Sequence, residues 1–196
     1  MEYYVCILDF EATCWSEKEN TRNDNIREII EFPSILYKVD SEKNVQFVSE
    51  FQKYVKPVLN PILSKFCTEL TKITQETVNK ADTFKTVYKQ HFQWIQEYVQ
   101  NGEKLIFYTC GIWDLEIMLP IETKRYNLKL YHHYTKYLDL KNEFQNHYKV
   151  HAGGMTNMMK TLSIQHTGIL HSGIDDCRNL AKVLIQMIKD GYREAE

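Results

Sequence analysis

The sequence predicts an α/β fold, a mixed β-sheet with helices packed against it, and three observations point there. Three strand-like apolar runs lead the chain, two later segments repeat apolar residues at helical spacing, and short apolar runs separate those helices. The 196 residues suit one domain, expected over 1–196, with no repeat, low-complexity tract or Gly/Pro/Ser-rich linker to divide it. Hydrophobic residues at 43% and aromatics at 13% argue for a packed core over disorder.

Tyr3–Asp9 reads as a central strand, because its apolar run leaves neither face suited to water. Ile29–Tyr37 and Val45–Val55 read as the next two, the latter with rough alternation at Val45, Phe47, Phe51 and Val55. The polar segment Ser16–Arg27 between the first two strands reads as a loop. Asn60-Pro61 offers an N-cap followed by proline at the first helical position, so a short helix is expected over Ile62–Leu70. Apolar residues at 84, 87, 88, 92, 95 and 99 predict a helix over Phe84–Val99, closed by Gly102. Leu105–Tyr108 is a short strand, followed by a turn at Cys110-Gly111 and a helix from Trp113. Tyr134–Leu140 is a further strand. The last helix, Ile174–Lys189, puts Cys177, Leu180, Ala181, Leu184, Met187 and Ile188 on one face.

The formal net charge of −2 exerts no overall pull on a polyanion. Its distribution is uneven: residues 51–90 carry seven Lys against three acids, and residues 121–165 carry seven Lys/Arg against three acids. Such segregation suits either ordinary solvated surface or a basic rim around an acidic centre. The five cysteines form no C-x-x-C pair and several lie in apolar surroundings, which fits a reducing compartment. No stretch approaches a membrane span and the start lacks a secretory pattern, so an intracellular protein, cytoplasmic or nuclear, is expected.

The first strand ends in Asp9 and Glu11, which alternation places on one face while Phe10 takes the other. Carboxylates held that close repel unless a cation compensates them, and hard oxygen ligands suit magnesium or manganese. A solvated strand end beside lysines is the ordinary alternative. Near the other end, "HSGIDDCRNLAKVLI" (171–185) sets His171 on a loop, Gly173 at a turn and Asp175-Asp176 at a helix start. One of those acids has a structural use there, since carboxylates stabilise helix N-termini; the other and the histidine are left over. Between them, "FYTCGIWDLEIML" (107–119) ends a strand, turns at a glycine and places Asp114 behind Trp113 at a helix start, where a helix-starting Asp is also common.

Asp9-x-Glu11, then Asp114, then His171 with Asp176 following, resembles the DEDDh superfamily of metal-dependent 3′–5′ exonucleases. "ILDFEATC", "EIIEFPSIL", "FQKYVKP", "LSKFCTELTKITQ", "ADTF", "GIWD" and "HSGIDDCRN" are similar to the branch that trims histone mRNA ends and small interfering RNAs. The resemblance runs from about Tyr4 to Met187 and implies an RNase H-like fold with a mixed five-stranded sheet flanked by helices. It implies two Mg²⁺ ions, replaceable by Mn²⁺, held by Asp9, Glu11, Asp114 and Asp176, with His171 as general base. It implies stacking of 3′-terminal bases on Phe66 and Trp113, although core packing would also explain either ring. The implied substrate is RNA with a free 3′ end, single-stranded or overhanging; a DNA exonuclease and a non-catalytic RNA-binding module on the same fold are the alternatives. Lys72 stands where this family usually has glycine, and Ile169 where it usually has arginine.

Overall fold

A computed structural model describes residues 2–19, 26–100 and 102–193. Strand β1 (Tyr3–Leu8) has all six residues buried, and it lies inside the sheet between β3 (Ile29–Val39) and β6 (Leu105–Thr109). It pairs antiparallel with β3 and parallel with β6. Antiparallel β4 (Val45–Lys56) flanks β3, and parallel β7 (Tyr137–Asp139) flanks β6. The sheet also contains β2 (Glu11–Ala12) beside β3 and β5 (Asp82–Thr83) beside β4, so among the described residues the expectation of five strands is corrected to seven. A two-residue strand is too short to carry a periodic pattern, which is why neither extra strand shows in the sequence.

Side-chain alternation in β1 divides the core. Tyr3, Val5 and Ile7 meet α5 (Leu140–Tyr148), α6 (Met155–Thr161) and α7 (Gly173–Lys189) on one face. Tyr4, Cys6 and Leu8 meet α3 (Phe84–Tyr98), a π-helical turn at Trp113–Met118 and α4 (Leu119–Arg125) on the other. Burying each large apolar side chain stabilises by about 1.5–3 kcal/mol, so both faces hold β1 in place. A smaller cluster of Ile30, Leu63, Cys67, Ile73 and Val78 lies under α1 (Lys65–Thr71) and α2 (Gln75–Lys80).

Some boundaries move. The expected helix at Ile62–Leu70 starts at Lys65, capped by the Ser64 hydroxyl accepting from the Cys67 amide. Asn60 serves elsewhere: its side chain donates to the Ile26 carbonyl and its amide to Glu28. Within Tyr134–Leu140 only Tyr137–Asp139 is strand, preceded by a 3₁₀ turn at His132–Thr135. The helix expected from Trp113 begins as a π-turn because Pro120 follows: in regular α-helix its ring would collide with the Glu116 carbonyl. Of the Ser16–Arg27 loop, positions 20–25 lie outside the described residues.

Candidate active site

β1 stops at Leu8, and β2 resumes pairing with β3 at Glu11, opposite Glu31. Pro33, which has no N–H to offer a neighbour, falls in the register opposite this gap. Asp9 sits in the gap and continues the Val5–Ile7 series, so its carboxyl points to the face covered by α7. Phe10 goes to the other face and packs edge-on against Phe32, ring centroids 4.6 Å apart.

Helix α7 brings Asp176 to this face, nearly buried at 5% exposure. The loop before it is fixed by the helix's own side chains. Asn179 bonds Thr167 through both amide and carbonyl, and the Asp175 carboxylate accepts from the Ile169 amide and pairs with Arg178. Gly168, at φ +82°, lies so close to the Asp175 carboxyl that a Cβ would meet it at 2.4 Å. Asp176 Oδ2 accepts the His171 amide at 3.0 Å, anchoring the exposed His171 beside it. Asp175 is thus the acid with a structural use, though it holds the loop where a direct helix cap had been expected. His171 itself takes the positive φ (63°) of this turn; Gly173, the expected turn residue, is needed for a close approach.

Asp114 arrives from β6 through the π-turn and is buried, its Oδ1 accepting the Phe10 amide at 2.8 Å. Trp113 beside it is half-buried against the α3-side core, with the Arg27 guanidinium 5.9 Å from its ring centroid. The four acids meet electrostatically. Burial, then repulsion from Asp114, Glu11, Asp176 and Glu31, holds the Asp9 carboxyl well above the usual carboxylate range. Glu11 is pushed up to about 9 by burial and then by Glu31, Asp176 and Asp114. Burial raises Asp114 to about 7, opposed by the Phe10 amide. It raises Asp176 to about 6, opposed by the His171 amide and the His171 and His166 rings.

The residues present fit a hard divalent cation. Asp176 Oδ1 is buried with no hydrogen-bond partner, and one donor atom each from Glu11, His171 and Asp176 lie within 4.8 Å of one another. Buried carboxylates in mutual repulsion have no internal compensation, which a cation would supply.

Phe66, on α1, is 36% exposed while its neighbour Cys67 is buried, so the core alternative for that ring does not hold. Lys72 caps α1 in the left-handed conformation (φ 62°), the geometry that glycine adopts most easily. Ile169 is exposed in the loop before His171. Sequence reading missed three acids. Glu28 accepts the amides of Val58, Leu59 and Asn60; Glu31 bonds Gln52 and Gly173; Glu122 accepts from Ile29 and Arg125. It also missed His166, whose Nε2 lies 4.0 Å from Asp176 Oδ1. A buried acid in a strand such as Ile29–Val39 was the available signal for Glu31; none existed for His166.

The sequence model of an exonuclease family, RNase_T, matches residues 6–184. The chain is 36% identical over 191 residues to the 3′-5′ exoribonuclease 1 of Rattus norvegicus, covering 96% of this chain and 54% of that protein. It thus spans about half the length of the curated relatives it matches. Among solved structures, it is similar to the nuclease domain of 3′hExo, a DEDDh family member bound to rAMP: TM-score 0.88, 35% identity, 98% of this chain and 96% of that one. It is also similar to a 3′-exonuclease recognising the 3′ end of a histone mRNA stem-loop, with TM-score 0.87, 34% identity and coverages of 96% and 83%.

Proposed function

We propose, from the premise that the chain belongs to the RNase_T exonuclease family, that it is a divalent-metal-dependent 3′–5′ exoribonuclease. The observation that carries the reading is the mutually repelling set of half-buried Asp9 and Glu11 and buried Asp114 and Asp176, with His171 beside it. When bound there, divalent cations, for which we propose Mg²⁺ with Mn²⁺ as substitute, would activate water and stabilise the departing 3′ oxygen. The carboxylates hold and orient that centre from rigid elements, β1 and α7 among them. His171, exposed and tethered through its amide to Asp176, accepts at an imidazole nitrogen the proton of the attacking water. Attack on the last phosphodiester releases a nucleoside 5′-monophosphate and leaves a new 3′-hydroxyl on the shortened strand.

Phe66, exposed on α1, and the half-buried Trp113 stack the terminal bases, which favours a single-stranded or overhanging end, because bases in a duplex have their faces already covered. That the similar structures include one bound to rAMP and one recognising an RNA stem-loop supports RNA over DNA. Matched 5′-labelled single-stranded, stem-loop and duplex RNAs and DNAs, digested with chelator or Mg²⁺, test the reading. A Mg²⁺-dependent ladder shortening from the 3′ end of RNA is expected. A ladder in excess chelator, or one confined to DNA, would reject it.

A further inference from the structure

We propose that Glu31 is a positioning residue: with Gly173 it clamps the start of α7 against β1 and so sets where Asp176 and His171 meet Asp9. The proposal deepens the exonuclease reading and rests on it.

Glu31 is 1% exposed and faces Glu11 across the β2–β3 pairing, yet it differs from the other acids of the centre. Both of its oxygens are committed. Oε1 accepts from Gln52 Nε2 at 2.8 Å, and Oε2 accepts the Gly173 amide at 3.1 Å. Asp176 Oδ1, by contrast, has no hydrogen-bond partner. Gly173 is the first residue of α7, where amides lack a partner within the helix. The neighbouring Ser172 makes no capping bond through its side chain, so a carboxylate from a distant strand does the capping.

The space where Gly173 would carry a side chain is as tight, with Glu31 Oε2 itself 3.2 Å from a Cβ placed there. A Cβ there would lie 2.7 Å from the Asp9 carbonyl oxygen and 2.8 Å from Pro33 Cγ. The helix therefore touches down on the residue that carries one metal-site carboxylate, two residues after His171 and three before Asp176. A displacement of this contact moves both groups relative to Asp9. The choice of cap is also costly: like charges directly opposite in a sheet repel, and Glu31 adds to the repulsion on Glu11. A Ser172 cap would have served the helix alone without that repulsion. What Glu31 adds is a fixed distance between helix and strand.

The test compares Glu31→Ala, Glu31→Gln and Gln52→Ala in the full chain by Mn²⁺ calorimetry, hydrogen exchange at the Gly173 amide, and RNA turnover. Glu31→Ala should weaken Mn²⁺ binding and lower kcat by about 10–100-fold with KM little changed, as loss of a group orienting a metal ligand does. Glu31→Gln keeps an acceptor for the Gly173 amide and should restore Mn²⁺ affinity and kcat to within about threefold of the parent. Exposed Gln52 supports Glu31 from outside, so Gln52→Ala should fold, exchange faster at Gly173 and bind Mn²⁺ more weakly, by a smaller factor. It decides the matter if Glu31→Ala does not fold. Glu31→Gln as impaired as Glu31→Ala would overturn the proposal, because charge would then matter and position would not. Parental Mn²⁺ affinity in Gln52→Ala, or in folded Glu31→Ala, would overturn it too. A parent that leaves RNA intact rejects the exonuclease reading separately, since calorimetry and exchange judge the clamp without RNA.

Discussion

Two buried polar centres lie on opposite faces of the same sheet, and they are built on opposite terms. On the α3 side, His91 is completely buried, with Nδ1 2.7 Å from the Tyr134 hydroxyl and Nε2 2.8 Å from the Ser34 hydroxyl. Burial lowers its pKa to about 3, so it stays neutral, ringed by Phe32, Phe51 and Trp94. On the α7 side, Asp9, Glu11 and Asp176 repel one another and Asp114, reaching in from the π-turn, and Asp176 Oδ1 has no partner. A polar group in the core is therefore no sign of function by itself. His91 closes its own hydrogen bonds and serves the fold; the acids leave charge uncompensated, which serves the fold badly and a cation well.

Asp9→Asn and Asp176→Asn should have the largest effect: turnover falls to background while metal-free stability holds or rises, because repulsion is relieved. Steady-state rates beside thermal melts check this. If either variant unfolds with unchanged activity per folded molecule, the acid centre resembles His91 after all and the contrast breaks. His171→Ala should lower turnover by about 10²–10⁴-fold with metal affinity nearly parental, as removal of a general base does. Its side chain is exposed, so the melt should barely move, and a near-parental rate would remove the base assignment.

The converse substitution sharpens the contrast from the other face. His91→Ala strands the Ser34 and Tyr134 hydroxyls, at about 1–3 kcal/mol of stability for each, while activity per folded molecule stays parental. Denaturant melts with active-site titration separate the two quantities. Smallest are the rings: Trp113→Ala and Phe66→Ala should each weaken binding of a single-stranded RNA end by about 1–3 kcal/mol. Phe66→Ala should do so with little loss of stability, since the ring is exposed, whereas half-buried Trp113 should lose some of both.

The sequence made β1, β3, β6, α3 and α7 legible because each buries a full face, and burial imposes period on composition; β4, where only Phe51 and Val55 are buried, showed by a rough alternation alone. Asp9, Glu11 and Asp114 stood out for a related reason, each lying where such an element ends or begins, whereas Asp176 was told from Asp175 only by the resemblance to the DEDDh exonucleases. Helices α2, α5 and α6 passed unseen, being short and capped by residues such as Thr74 and Asp139 that also make loops. Glu31 showed only as an acid inside the buried strand "EIIEFPSIL"; its role stayed hidden, because nothing local shows that its carboxylate answers an amide 142 residues away. Long-range partners leave no spacing to read. Gly173 was flagged for a turn, while the structure needs it bare for a contact with Asp9.

The most direct test of the contrast is the pH dependence of thermal stability in chelator and in Mn²⁺. A carboxyl whose pKa is raised in the folded state holds more protons there than when unfolded, so folding weakens as pH rises through that interval. Asp114, raised to about 7, and Asp176, raised to about 6, place the interval between about pH 4 and 7, and Glu11 extends it to about 9. In chelator, Tm should fall as pH climbs from about 5 to about 8, and Mn²⁺ should cancel the fall by compensating the ionised acids. The same slope with and without Mn²⁺ would contradict the account, since the acids on the α7 side would then be as self-sufficient as His91.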